Sequence, residues 1–205
     1  PARVPVLVRP PVQKPMVTYV IIGITVIVYG LQWLSKLTLS GGYDLPTLFG
    51  AKINEYILLG QVWRLITPVL LHGSLLHIAF NMYALFSIGP SLERHYGHGR
   101  FLLLYLVGGF AGNTLSFLLS PNPSVGASTA VFGLVAAEAV FILKNKELFG
   151  GRARSILVNL GMVIVVNLVI GMSPGIDNWG HLGGLLGGAI FAWIAGPLLK
   201  VQATL

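Results

Sequence analysis

"SVGASTAVFGL", Ser124 to Leu134, opens an apolar run that continues to about residue 143. Its length decides the reading of the fold. A helix needs roughly 20 apolar residues to cross a hydrocarbon layer of about 30 Å. Ser128 stands inside this run, behind Gly126 and Ala127, where an alanine would be easier to bury.

Five further apolar runs flank it. Their approximate bounds are 16–34, 74–92, 101–119, 155–172 and 179–199, which with 126–143 makes six expected spans. Of the 205 residues, 55% are hydrophobic and 9% are charged. Soluble domains carry about 25% charged residues, so a polytopic membrane protein is expected rather than a soluble core. The expected fold class is all-α, a six-transmembrane-helix bundle. The segment from Ser35 to about Gly73 is amphipathic and broken by Pro46 and Pro68. It reads as a structured interfacial loop between the first and second spans.

Residues 1–15 hold five prolines among basic residues and read as a flexible tail; 200–205 read as a second, short tail. A single membrane domain over 16–199 lies between them. The chain starts at Pro1, and its first apolar run has no small-residue cleavage site behind it. That run is expected to be a retained helix.

The net charge of +7 does not point to nucleic acid, because the basic residues lie between apolar runs rather than on one patch. Six spans put Arg3, Arg9, Lys14, Arg94, Arg100, Lys144, Lys146, Arg152, Arg154 and Lys200 on one side. Lys36, Lys52 and Arg64 fall on the other. The ten-to-three split makes both termini cytoplasmic. A bacterial plasma membrane, crossed several times, is the expected location. With no cysteine, disulfides, thiolate catalysis and Cys-ligated zinc are excluded.

Spans two, four and six then run inward from the outer face. Ser128 lies near the outer end of the fourth and His181, in "NWGHLGGLLGG", near that of the sixth. His77 and Asn81, in "HGSLLHIAFN", lie near the outer end of the second and share a face four residues apart. A hydroxyl, a base and two donors thus sit at matching depth. A lone serine in a span is ordinarily a packing residue. An intramembrane histidine is a functional candidate by default. Gly184 and Gly188 form a small-xxx-small pair that admits a close neighbour. Phe132, four residues after Ser128, is placed to stack on the imidazole.

These motifs resemble the rhomboid intramembrane serine proteases: "GAS" ending at Ser128, "GHLGG" around His181, "HGSLLHIAFN", "WR" at Trp63-Arg64 and "ERHYG" from Glu93. The resemblance runs in family order from about residue 55 to 190. It implies Ser128 as nucleophile and His181 as general base. His77, Asn81 and the Ser128 N–H resemble the oxyanion site. Phe132 matches the aromatic packed on the histidine. Trp63 and Arg64 match a structural element of the outer loop. Thr129 departs from the glycine many members carry, and is tolerable if its hydroxyl bonds to its own helix.

The expected function is intramembrane serine endopeptidase, cleaving transmembrane segments of other membrane proteins by a Ser–His dyad at the extracytoplasmic side. Asp177, four residues before His181, is expected to cap a helix rather than complete a triad. No metal or organic cofactor is expected. The expected partners are transmembrane substrates and the lipid bilayer, not nucleic acid or metal. The alternative is a catalytically silent relative that binds or chaperones membrane proteins. A metalloprotease lacks its H-E-x-x-H helix. An aspartyl protease lacks membrane aspartates, since Asp44 and Asp177 fall in loops. A transporter would need a continuous polar path, whereas only Glu138 and a few asparagines occupy the inner half. Glu138 is expected near the inner interface, paired or snorkelling rather than part of a relay.

Overall fold

The computed structural model describes residues 14–39 and 41–199. The expected tails therefore lie almost wholly outside the described residues. Nine α-helices are found among those described: α1 (Met16–Thr38), α2 (Leu45–Gly50), α3 (Asn54–Leu58), α4 (Leu75–Tyr96), α5 (His98–Leu119), α6 (Ser128–Lys144), α7 (Lys146–Phe149), α8 (Arg152–Ile170) and α9 (Asn178–Ala195). Two 3-10 turns, Val62–Leu65 and Thr67–Leu70, complete the segment between α3 and α4. No strand occurs among the described residues. A single antiparallel bridge joins Lys52 to Ser124.

The chain is an all-α membrane bundle. By length and composition α1, α4, α5 and α8 can each cross a membrane. Of the two remaining long helices, α6 is enclosed by the others, while α9 buries its glycine face and leaves Leu186, Ile190, Trp193 and Ile194 exposed. α6 is 17 residues long and buries eleven of them. The expected span starts and stops shift by a few residues. α1 runs to Thr38, past the expected end at 34, and α9 stops at Ala195, before the expected 199. Pro197 explains that stop, because a proline disfavours helix in the residue before it.

Direction follows from the tethers at each end. At one end Ser128, the first residue of α6, meets His181 in the first turn of α9. At the other, Lys144 near the end of α6 donates to the Trp193 and Gly196 carbonyls, 2.9 and 3.2 Å away, at the end of α9. The two helices are parallel, and the Lys144 ammonium meets the negative pole of α9. α5 runs against them. Its last turn offers Ser116 to Asp177 at the start of α9, and its middle packs on α6 at Gly108 and Gly133.

Glycines set how close these three helices come. A Cβ on Gly184 would overlap the Thr129 carbonyl, and one on Gly188 would overlap the Gly133 backbone. A Cβ on Gly183 would meet the Ala111 carbonyl at 2.6 Å. Without a strong hydrophobic drive between helices in lipid, backbone contact of this kind supplies the packing.

The segment before α4 has more order than an interfacial loop requires. Asp44 caps α2 by accepting from the Thr47 N–H, and Arg64 is buried with its guanidinium on the Leu48 and Ala51 carbonyls, 2.7 and 2.8 Å away. Gln32 of α1 donates to the His72 carbonyl and accepts from the His72 N–H at 3.0 Å, which ties the segment to the bundle. At the opposite end Glu93, fully buried, accepts from the Val17 and Thr18 N–H groups at 2.8 Å each. A carboxylate from α4 thereby caps the positive pole of α1.

Candidate active site

Three helix starts meet at one end of the bundle. Ser128 opens α6, His181 lies in the first turn of α9 and His77 in the first turn of α4. The caps explain these starts. Ser74 accepts from the His77 N–H at 3.2 Å and Asp177 from the Gly180 N–H at 2.9 Å. Each supplies an acceptor to an otherwise orphaned first-turn donor.

The Ser128 Oγ and His181 Nε2 are 3.0 Å apart. With its proton on Nδ1, the imidazole accepts from the hydroxyl through Nε2. Nδ1 is buried and has no protein partner. The Phe132 ring lies parallel to the imidazole, 4.3 Å between centroids and 10° between planes. The histidine is thus held by an aromatic face rather than by a carboxylate. Asp177 is occupied elsewhere: Oδ1 accepts from Gly180 and Oδ2 from the Ser116 hydroxyl at 2.5 Å. It is a helix cap, as its place four residues before His181 suggests.

Gly126 turns the chain into α6 at a φ of +139°, a region that favours glycine. A Cβ there would stand 2.7 Å from His77 Nε2 and 3.5 Å from Ser128 Oγ. The His77 ring therefore lies over the same turn that delivers the serine. Asn81 is one turn further into α4, buried, with its amide donating to the His77 carbonyl at 2.9 Å. The N–H groups that open α6 have no acceptor within the helix.

Gly184 and Gly188 sit against α6, as described, and carry the approach that joins Ser128 to His181. Trp63 is half exposed and donates its indole N–H to the Phe49 carbonyl at 3.0 Å. Arg64 braces the interfacial segment and lies 4.7 Å from the Tyr56 ring centre. Both stand outside the Ser128–His181 contact. Glu138 lies past the middle of α6, and one of its oxygens is buried without a partner, so that oxygen is neither paired nor snorkelling.

The condition set for Thr129 is not met. The Thr129 hydroxyl does not bond to its own helix; it is buried without a partner. Its bulk is accommodated because glycines face it. Cβ atoms at Gly112 and Gly180 would approach the Thr129 side chain at 2.5 and 3.0 Å. The slot is shaped for volume and supplies no acceptor.

Sequence reasoning also passed over His72. It is fully buried, with Nε2 accepting from the Ala127 N–H at 3.3 Å, directly before Ser128. Its ring meets His77 edge-on at 5.0 Å. The signal was present in "LLHGSLLH", but His72 precedes the helix and falls outside any periodic pattern.

A multi-helix membrane bundle with a part-buried serine–histidine contact at one end is the class these observations define. The rhomboid domain family model matches residues 59–198. The chain belongs to the rhomboid family. It is 43% identical over 193 residues to the "Rhomboid protease GluP" of Bacillus subtilis (strain 168), covering 93% of this chain and 36% of that protein. It is 36% identical over 162 residues to the "RHOMBOID-like protein 9, chloroplastic" of Arabidopsis thaliana, covering 78% of this chain and 37% of that one. The chain therefore spans little more than a third of the length of these curated relatives.

Proposed function

We propose that this chain is an intramembrane serine endopeptidase that cuts transmembrane segments of other membrane proteins. Ser128 is the nucleophile and His181 the general base. The 3.0 Å contact between Ser128 Oγ and His181 Nε2 carries the reading. Membership of a family that includes a protein named as a protease, 43% identical to this one, supports it.

In the first step Nε2 takes the hydroxyl proton as Oγ attacks the scissile carbonyl carbon. The imidazolium then gives that proton to the departing amine, and the C–N bond breaks to leave an acyl ester on Ser128. Water then attacks the ester carbon as it loses a proton to Nε2. The C–Oγ bond breaks, and the imidazolium returns that proton to Ser128 Oγ, releasing the carboxylic acid product. Phe132 holds the ring in line through both halves. The carbonyl oxygen gains charge in each tetrahedral intermediate. The Ser128 N–H, His77 Nε2 and the Asn81 amide are its donors, each worth about 3–4 kcal/mol in comparable acyl-transfer sites. Asn81 has a second amide hydrogen beyond the one given to His77.

The site opens on the extracytoplasmic side. Lys36, Lys52 and Arg64 belong to the Ser128 end, while Arg94, Arg100, Lys144, Lys146, Arg152 and Arg154 belong to the connections at the other end. That imbalance makes the far end cytoplasmic, and the termini with it. A stable helix hides its carbonyls in hydrogen bonds, so a substrate helix must unwind near its outer end.

The test is cleavage of a single-span substrate in detergent by the parent, Ser128→Ala and His181→Ala. Cleavage by the parent alone is expected. Equal cleavage by all three would refute the dyad. A fully inert parent is what a silent membrane-protein binder would give.

A further inference from the structure

Lys52 is fully buried and makes no ion pair among the described residues. A lysine is almost never fully buried unless something satisfies it. Its Nζ donates to the Ser120 carbonyl at 2.7 Å and to the Asn122 carbonyl at 3.0 Å. Its backbone exchanges two hydrogen bonds with Ser124, each 3.0 Å. One residue thus grips the connection between α5 and α6 at positions 120, 122 and 124. Two more bonds from the same interfacial region continue the series: Gly126 donates to the Pro68 carbonyl at 2.9 Å, and Ala127 to His72. Ser128 follows at once.

The chemistry of the grip is specific. Ser120 is the C-terminal cap residue of α5, where carbonyls lack internal partners and the helix carries its negative pole. Asn54 adds its amide to the Phe117 and Ser120 carbonyls at 3.1 and 3.0 Å. Of these side chains, Lys52 alone reaches beyond the helix end, to Asn122. The connection "SPNPSV" has no helix or strand of its own to hold it. Its path is set from outside, and that path fixes where Gly126 and Ser128 stand.

We propose that Lys52 is a positioning residue for the nucleophile, tethering residues 120–124 so that α6 begins with Ser128 Oγ against His181. This rests on the reading of Ser128 as the nucleophile. The tether lies outside the Ser128–His181 contact, so its loss misplaces the attacking oxygen without removing a reacting group. A misplacement of about 1 Å costs up to about 100-fold in rate.

The experiment compares the parent with Lys52→Met and Lys52→Arg in detergent, following substrate cleavage, thermal unfolding and deuterium exchange of peptides over 120–127. In Lys52→Met, kcat should fall about 10- to 100-fold while KM stays within about twofold. Exchange should quicken over 120–127 and be unchanged in α5 and α9. Lys52→Arg keeps donors on the carbonyls and should recover part of kcat. A folded Lys52→Met with parental kcat overturns the inference and leaves the dyad standing. If Lys52→Met does not fold, Lys52→Arg carries the readout: slowed kcat with faster exchange at 120–127 supports the tether, and parental values overturn it. If the parent itself cleaves nothing, the dyad reading has failed, and the tether is judged by exchange alone, with parental exchange in Lys52→Met overturning it.

Discussion

α6 and α8 are both apolar helices of similar length, and they have almost nothing else in common. α8 has a mean hydropathy of 2.0 in its most apolar window, the highest of the candidate spans, yet Ala153 is its one buried residue. α6 falls short of the length expected of a span, and it is enclosed along most of its course and carries Ser128. α9 sides with α6: glycines make up five of its seven buried residues. The helix that looks most like a membrane segment is thus the one least covered by the rest of the protein. The helices that look least like one are occupied with each other, and the candidate site stands where they meet.

That contrast can be broken by measurement. The largest expected effect is at the glycine seam. Gly184→Ala puts a methyl on the Thr129 carbonyl, and should lower stability to denaturant by about 1–3 kcal/mol, toward the upper end. Val163→Ala, on the exposed face of α8, should stay within about 0.5 kcal/mol. Similar losses at both positions would erase the distinction between the two helices.

The next effect sharpens the comparison within α6. Phe132→Leu removes the stacked ring from His181, an interaction worth about 0.5–1.5 kcal/mol beyond area burial. It should lower kcat about 2- to 10-fold with KM little changed, read from full kinetic curves. Parental kcat would mean that the enclosure of the histidine, rather than the ring, orients it.

Thr129→Val is smaller and of opposite sign. It keeps the shape of the side chain and removes a buried hydroxyl that has no partner, so unfolding should shift upward by up to about 1 kcal/mol. A loss of stability would show that the hydroxyl is satisfied after all.

The smallest effect is acid dependence at Asp44, outside the membrane helices. Burial pushes its carboxyl up, but the Lys36 ammonium at 3.0 Å and hydrogen bonds from Thr47 and Gln32 hold it below the ordinary 3.8. The folded state therefore binds this proton less readily than the unfolded chain. Its contribution is complete above pH 3.8 and is lost as pH falls through the lowered folded value. Asp44→Asn should flatten that part of a pH–melting profile.

The sequence made the spans legible because membrane helices announce themselves locally, by apolar length and by the charges and prolines between runs. Ser128, His181 and Phe132 were legible for a related reason. Each sits at a helix start or one turn inside it, where direction and spacing dictate depth and face. The remainder depends on contacts between distant segments with no period. Gln32 meets His72 across 40 positions, and Lys52 meets Asn122 across 70. Nothing in "GAKINEYILLG" marks its lysine as buried. Thr129 shows the limit from another side. Spacing placed it at the close contact, but whether its hydroxyl finds an acceptor depends on which way three neighbouring backbones turn.

The central claim is that the Ser128 hydroxyl is activated by the His181 imidazole. Reaction of the purified protein with a fluorophosphonate, with the adduct located by mass spectrometry, tests it most directly. The adduct should form on Ser128 in the parent and be lost in His181→Ala while that variant still melts cooperatively. An unmodified Ser128 in the folded parent, or undiminished labelling in His181→Ala, would contradict the account.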